Sequence, residues 1–367
     1  MTIRDNPSLM REIIEEMGYM VRVMDADHRV IYMNKKMREK FGQAMGHICY
    51  SLLGREDKCE HCVTKETMET GKPGMKDVPI GDRYYNIFSS PVNMDNGDSY
   101  SIEIFNDITE QKMMEDELMR HYEKLKADIN FAMHVQKRAL PIDGTYWNSM
   151  EIDSVYDPSE DLGGDLYDVI RMNEEESLIY IADVSGHGIT SSLLTIFLRQ
   201  MVRGRVGNRK VDLSELLHIL QKSYHELGMD PEQYLTILFF LYNKDDGVAK
   251  FLNAGHNCMP VIIKSSGEVR EIEVKGMPVC HLKSRSPHRE VTIPVEPGDR
   301  VVMYTDGITE AANEAKEIFG TSRFLQTIKE NSSLDGKALA KKVIDEAETF
   351  SGKPVADDMA IIVVKLL

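Results

Sequence analysis

Long apolar runs are missing from this chain. Its most hydrophobic stretches, LTILFFLY and LLTIFL, fall far short of the roughly 20 residues that cross a bilayer. The N-terminal MTIRDNPSLMREIIEEMG has no apolar signal core, so the expected location is the cytoplasm. Basic charge is scarce too: 44 Lys and Arg stand against 60 Asp and Glu, a formal net charge of −16. That balance argues against nucleic acid as the main partner, because a phosphate backbone calls for basic surface. The five cysteines are odd in number, which in a chain without a secretion signal speaks against disulfides. What is present, 42% hydrophobic and 28% charged residues over 367 positions, is a globular composition. The chain is too long for one ordinary core and reads as two domains with a connector.

Residues 8–108 read as a small mixed domain. YMVRVMDADHRVIYMN is two short β-rich runs around an Asp-containing turn, and KKMREKFG is a brief helix closed by Gly42. KDVPIGDRYYNIFSSPV and SYSIEIFNDITE are strand-like, separated by the turn-rich NMDNGD. RVIYMNKKMREKFG and the closing IFNDITEQ resemble the start and end of a PAS sensory domain, which implies a signal-receiving role. Within this region HICYSLLGREDKCEHC gathers Cys49, Cys59 and Cys62. Its C-x-x-C has metal-ligand spacing, and Cys49, His47 or His61 could complete a site. A redox-active pair is the second functional reading and inert thiols the plain one.

Residues 109–141 read as one helix ended by Pro141. Leu118, Tyr122, Leu125, Ile129 and Ala132 recur at steps of four, three, four and three, a coiled-coil seam of about two heptads. The expectation is a linker helix that pairs with its copy in a parallel homodimer. His134 lies on it, but no glycine-rich ATP-binding boxes of a histidine kinase follow.

Residues 145–367 form the larger domain, whose hairpins and paired helices predict an α+β fold of two antiparallel sheets covered by helices. Four segments deliver an aspartate at or just past a strand end: GGD with Asp165, IADVSGHG with Asp183, MYTDG with Asp306, and ADDM with Asp357 and Asp358. Asp-Gly alone is a turn dipeptide. Several carboxylates converging would repel one another and shift their pKa values unless a cation joined them. All-oxygen ligation suits Mg²⁺ or Mn²⁺ rather than zinc. Asp165 and Asp168 are three apart on a strand and point to opposite faces, so they share a site only across a bulge.

DLGGDLYDVI, IADVSGHGITSSLL, FLNAGHNCMPVII, VVMYTDGITEAAN and DDMAIIVVK, in this order, resemble the PPM (type 2C) protein serine/threonine phosphatases, in particular their bacterial sporulation and stress-response (RsbU/RsbP) branch. The resemblance covers residues 140–367 and implies an α-β-β-α sandwich with two Mn²⁺ or Mg²⁺ ions. By position, Asp183 bridges both ions, the Val184 carbonyl binds one of them, Asp165 serves the second, and Asp306 and Asp357 hold the first. Asp358 is the lesser member of its pair. His187 is a turn residue or a proton donor, and His256 a structural one. The ions would generate a hydroxide that attacks phosphorus in line, with Asp183 and Asp165 as the catalytic carboxylates. The substrate implied is a phosphoserine or phosphothreonine protein, an anti-sigma-factor antagonist. AMHVQKRALP stands where this branch carries its switch helix. The eukaryotic members' phosphate-clamping arginine has no counterpart before Asp165. Two rivals remain: a catalytically silent pseudophosphatase acting as a PAS-controlled binding module, and a GGDEF-type diguanylate cyclase, which GGD followed by Leu-Tyr disfavours.

Overall fold

The computed structural model describes residues 6–57, 59–159, 161–186, 188–206, 212–230, 232–281, 288–352 and 355–367. The chain divides into two units, Met1–Lys124 and Leu125–Leu367.

The first unit runs α1 (Pro7–Glu15), β1 (Met20–Met24), β2 (Val30–Met33), α2 (Lys35–Phe41), α3 (Cys49–Leu52), α4 (Val63–Thr70), β3 (Gly74–Ile80), β4 (Arg83–Asn93) and β5 (Ser99–Asp107). Its sheet has the order β2-β1-β5-β4-β3, antiparallel throughout. The turn expected at DADHR joins β1 to β2. There the Asp25 carboxylate accepts from the amides of Asp27 and Arg29 at 3.0 and 2.8 Å, and His28 takes φ 60°. KDVPIGDRYYNIFSSPV is two strands rather than one. Gly81, at φ 63°, folds β4 back onto β3 in a two-residue turn.

α5 (Thr109–Ala139) is one helix of 31 residues. The Asp107 carboxylate caps its start, accepting from the Thr109 amide and hydroxyl at 3.1 and 2.6 Å.

The second unit contains β6 (Gly144–Tyr146), β7 (Met150–Asp157), β8 (Asp165–Arg171), β9 (Glu176–Val184), α6 (Ile189–Val206) and α7 (Leu213–Glu226). Then come β10 (Tyr234–Asn243), β11 (Val248–Ala254), β12 (Val261–Ile263), β13 (Val269–Glu271), β14 (Val279–Cys280), β15 (Val291–Pro294) and β16 (Arg300–Tyr304). α8 (Asp306–Thr309), α9 (Gly320–Glu330), α10 (Gly336–Ser351) and β17 (Met359–Leu366) complete it. One sheet has the order β15-β11-β10-β9-β8 with β14 on β10, and the other β13-β12-β16-β17-β7-β6.

Three apolar layers hold these elements together. Leu198 and Val202 of α6 and Leu216 and Leu220 of α7 pack on the first sheet. Ile179, Ile181, Leu238 and Phe240 meet Met303, Ile362 and Val364 between the sheets. Phe324 of α9 and Leu339 and Val343 of α10 cover the second sheet. The order of layers is therefore α-β-β-α. β9 and β10 read as unbroken apolar runs because both of their faces are buried.

Candidate metal centre and active site

Strand parity places the carboxylates. On β9, Tyr180, Ala182 and Val184 face the helices, whereas Ile179 and Ile181 face the other sheet. Asp183 continues the second set. On β8, Tyr167 and Val169 point between the sheets, and Asp165 shares their side. The antiparallel register sets Asp165 directly opposite Asp183. From the second sheet, Asp306 opens α8 two residues after β16, and Asp357 lies two residues before β17. Asp183, Asp306 and Asp357 line one cleft of about 540 Å³ together with Glu310. Asp165 is buried, 3% exposed.

The electrostatics of the cleft are those of uncompensated negative charge. Burial, then Asp306 and Asp357, push the Asp183 carboxyl up to about 7. Burial, then Asp183, hold Asp165 well above the usual carboxylate range, against a hydrogen bond from Thr305 that lowers it. Burial raises Asp306 as well, and burial with Asp306 and Asp357 raises Glu310. Asp165 Oδ2 is buried with no hydrogen-bond partner. A buried acceptor left unpaired costs about 1–3 kcal/mol, and more when charged. Hard divalent cations fit this donor set, because it consists of oxygens alone and one of those oxygens is orphaned. Among the described residues no three His, Cys, Asp or Glu side chains already close on one point, so the carboxylates line the cleft rather than meet.

The paired glycines before Asp165 make room for the protein's own atoms. A Cβ on Gly163 would lie 2.0 Å from the Tyr156 hydroxyl and 2.5 Å from Asp358 Oδ2. One on Gly164 would lie 2.7 Å from the Val184 carbonyl, so the two strand ends touch here backbone to backbone. Gly186 and Gly188, at φ 91° and 84°, supply the left-handed residues of the turn into α6. His187 between them lies outside the described residues.

The neighbouring Asp357 and Asp358 have different surroundings. Asp357 is exposed on the cleft wall. Asp358 is buried and fastens the loop before β8, accepting from the Ser159 amide and hydroxyl at 2.8 and 3.0 Å and from the Gly164 amide at 2.5 Å. Asp168 points away from the cleft with no bulge in β8. Its carboxylate takes two hydrogen bonds from Arg203, at 2.6 and 2.7 Å, and lies 3.4 Å from Arg199. His256 bonds the Tyr304 carbonyl at 2.8 Å and Thr236 at 3.1 Å, and burial lowers it to about 4. It is a neutral tie between the start of β10, where Thr236 pairs with Asp183, and the end of β16 that leads to Asp306.

Two residues near the site carry no mark in the sequence. Glu310, the residue that follows α8, lines the cleft. Gln136, on α5, is buried with its carboxamide against the backbone of Gly163. It donates to the carbonyl at 2.7 Å and accepts from the amide at 3.3 Å. Only its place within AMHVQKRALP hinted at such a contact. In the other unit, Cys49 is buried, Cys59 and Cys62 are half-buried, and all three are free.

A sequence model of the family described as Stage II sporulation protein E (SpoIIE) matches residues 173–367, more than half of the chain. The chain belongs to the SpoIIE family. Its relatives include the phosphoserine phosphatase RsbU of Bacillus subtilis, 22% identical over 66% of this chain and 71% of that protein. Protein IcfG of Synechocystis is 24% identical over 57% of this chain, and the phosphoserine phosphatase RsbP of B. subtilis 25% over 50%. The chain spans 36% of IcfG and 46% of RsbP. Among solved structures, the SiaA-PP2C domain of Pseudomonas aeruginosa superposes with TM-score 0.57 at 19% identity, over 67% of this chain and 98% of that one. The PP2C phosphatase domain of SpoIIE from B. subtilis, with a fragment of its regulatory domain, gives 0.52 at 15%, over 76% and 70%. The second unit thus has the PP2C-type fold, in a chain of the SpoIIE family that is homologous to RsbU and RsbP. No helix among the described residues is long and apolar enough to cross a membrane.

Proposed function

We propose that this SpoIIE-family chain is a signal-regulated, metal-dependent protein serine/threonine phosphatase. The observation that carries the reading is the pairing of Asp165 with Asp183 on the inter-sheet face, beside a cleft that Asp306 and Asp357 complete. Asp165, Asp183, the Val184 carbonyl, Asp306 and Asp357 would hold two Mn²⁺ or Mg²⁺ ions. When bound, such ions act as Lewis acids that activate water and neutralise phosphoryl charge. The chain's own contribution is to fix these oxygens. Asp358 and Gln136 hold the Gly163–Gly164 backbone in front of Asp165, and His256 ties the ends of β10 and β16. Asp183 and Asp165 are the carboxylates on which catalysis depends.

The substrate class we propose is a phosphoserine, which the names of the relatives RsbU and RsbP carry, or a phosphothreonine; a protein of the anti-sigma-factor-antagonist kind is what the sequence resemblance implies. The first unit, with its β2-β1-β5-β4-β3 sheet, would be a PAS-type sensor and α5 the linker. Leu118, Tyr122 and Leu125 stand exposed at 71%, 60% and 52%, which supports a second copy as their partner in a cytoplasmic homodimer. The test is hydrolysis of p-nitrophenyl phosphate with and without Mn²⁺ against Asp183→Asn. Turnover that needs both the ion and Asp183 supports the enzyme. Silence in the whole chain and after removal of residues 1–107 favours a pseudophosphatase.

A further inference from the structure

The first unit contains a charged group that the cleft chemistry does not use. β1, β5 and β4 set Arg22, Glu103 and Ser89 side by side, since Arg22 pairs in register with Glu103 and Glu103 with Ser89. Arg22 and Glu103 form an ion pair of 2.6 Å with side chains 3% and 1% exposed. A pair so buried persists only where its remaining donors and acceptors are satisfied. Here the segment from Cys49 to Thr64 supplies them. Arg22 donates to the Cys49 carbonyl at 3.4 Å, and the Thr64 hydroxyl donates to the other oxygen of Glu103.

That same segment carries the cysteines. Cys62 is the residue from which α4 starts, and its side chain makes no capping hydrogen bond. Cys59 Sγ accepts from Arg55 Nη1 at 3.6 Å. Both residues are half-buried rather than enclosed in the core. Cys49 differs, being buried, and burial pushes its thiol up to about 11. Among the described residues no three thiol, imidazole or carboxylate groups gather around one ion position.

We propose that Cys59 and Cys62 are a reversible dithiol–disulfide site that reacts with hydroperoxides, with Cys49 as a bystander. The three-residue spacing at a helix start is the arrangement in which one sulfur reacts and the other resolves. The Cys59 sulfur attacks one oxygen of hydrogen peroxide, the O–O bond breaks, and a sulfenic acid forms. The other oxygen leaves as water with the thiol proton. The Cys62 sulfur then attacks the Cys59 sulfur, an S–S bond forms, and the hydroxyl leaves as a second water with the Cys62 proton. Two thiols lose two electrons, and one peroxide is reduced to two waters. A dithiol reductant reverses the sequence.

The bond would close two residues before Thr64, whose hydroxyl holds Glu103. Glu103 lies on β5, and β5 ends in the Asp107 that caps α5. Oxidation is thereby connected, contact by contact, to the start of the linker helix.

The experiment uses the full-length, fully reduced chain titrated with hydrogen peroxide. Maleimide-reactive thiols should fall from five to three, with the loss of about 2 Da that one disulfide entails, restored by dithiothreitol. Peptide mapping should place the bond between Cys59 and Cys62. Cys59→Ser and Cys62→Ser should each abolish it, and Cys49→Ser should keep it. Arg55→Gln should slow Cys59 oxidation by about tenfold without changing the end point. In hydrogen exchange, amides 62–66 and 103–109 should differ between the reduced and oxidised forms. Retention of all five thiols, a bond elsewhere, or a zinc or iron ion held by these cysteines in the purified chain would each overturn the proposal. None of these readouts depends on phosphatase activity.

Discussion

Asp165 and Asp168 stand three residues apart on β8, both buried, and their surroundings are opposite. Asp168 meets two arginines from α6 and has both oxygens occupied. Asp165 meets other carboxylates, has one oxygen unpaired, and is pushed strongly toward its protonated form by burial. The protein compensates one buried charge from its own side chains and leaves an oxygen of the other without a hydrogen-bond partner. At the start of β17, Asp358 is buried and accepts three hydrogen bonds, whereas Asp357 is exposed on the cleft wall. A buried aspartate is thus read by its partners rather than by its depth.

The largest effect should come from the uncompensated side. Asp183→Asn should lower Mn²⁺-dependent p-nitrophenyl phosphate hydrolysis by about 1,000-fold, roughly 4 kcal/mol of transition-state stabilisation. Its thermal midpoint in metal-free buffer should not fall below wild type, because the change removes carboxylate repulsion. A fall in midpoint that accounts for the lost activity would make Asp183 a structural residue and erase the contrast.

The compensated side should respond in the other currency, stability. Asp168→Asn leaves Arg203 and Arg199 without their carboxylate, and breaking a buried pair costs about 3–5 kcal/mol. Arg203 is 40% exposed and recovers some hydration, which places the expected loss near the lower end, about 3 kcal/mol in urea unfolding. Residual activity per folded molecule should stay within about threefold of wild type. Unchanged stability together with lost turnover would move Asp168 into the catalytic group.

Much of this contrast was legible before any coordinates. Period-two alternation separates Asp165 from Asp168. Other features depend on tertiary contacts that no local pattern encodes. The atoms facing Gly163 and Gly164 belong to Tyr156, Asp358 and Val184, all outside the GGD motif. Gln136 sits in a charged helix and reads as solvated, since its partner Gly163 is distant in sequence. Gly81 split an expected strand because its neighbours on both sides carry the same strand composition. In the seam of α5, Leu118, Tyr122 and Leu125 stand exposed whereas Ile129 and Ala132 are half-buried, a difference that the even spacing of the five residues does not carry.

His256 sharpens the comparison as a third solution, in which a buried titratable group is kept neutral. Its value is 6.5 when solvated and about 4 in the fold, so below pH 6.5 the unfolded chain binds the proton more readily. Its unfavourable contribution is absent above pH 6.5 and grows as pH falls through the window down to about 4. A shift of that size is worth no more than about 3 kcal/mol. Unfolding free energies of wild type and His256→Gln, taken between pH 7 and 4, should converge toward the acid end by up to that amount. Parallel curves would mean that His256 stays hydrated in the native state.

Gln136 tests whether the uncompensated carboxylate depends on a neutral support. Its carboxamide donates to and accepts from Gly163, whose neighbour Gly164 leads directly to Asp165. Gln136→Ala removes these two bonds and a longer third one to the Thr195 hydroxyl, and leaves two buried backbone groups unpaired, a cost of about 1–2 kcal/mol. Because the loosened segment carries Asp165, the half-saturating Mn²⁺ concentration for hydrolysis should rise by about fivefold while turnover at saturating Mn²⁺ changes less. Gln136→Glu is the sharper variant. A carboxylate can still accept from the Gly163 amide but cannot donate to its carbonyl, and it adds a negative charge near a site already rich in them. Its Mn²⁺ dependence should therefore be shifted more than that of Gln136→Ala at similar helix content. If both variants keep the wild-type Mn²⁺ dependence and lose only stability, Gln136 merely anchors α5 and the support of Asp165 lies with Asp358 alone.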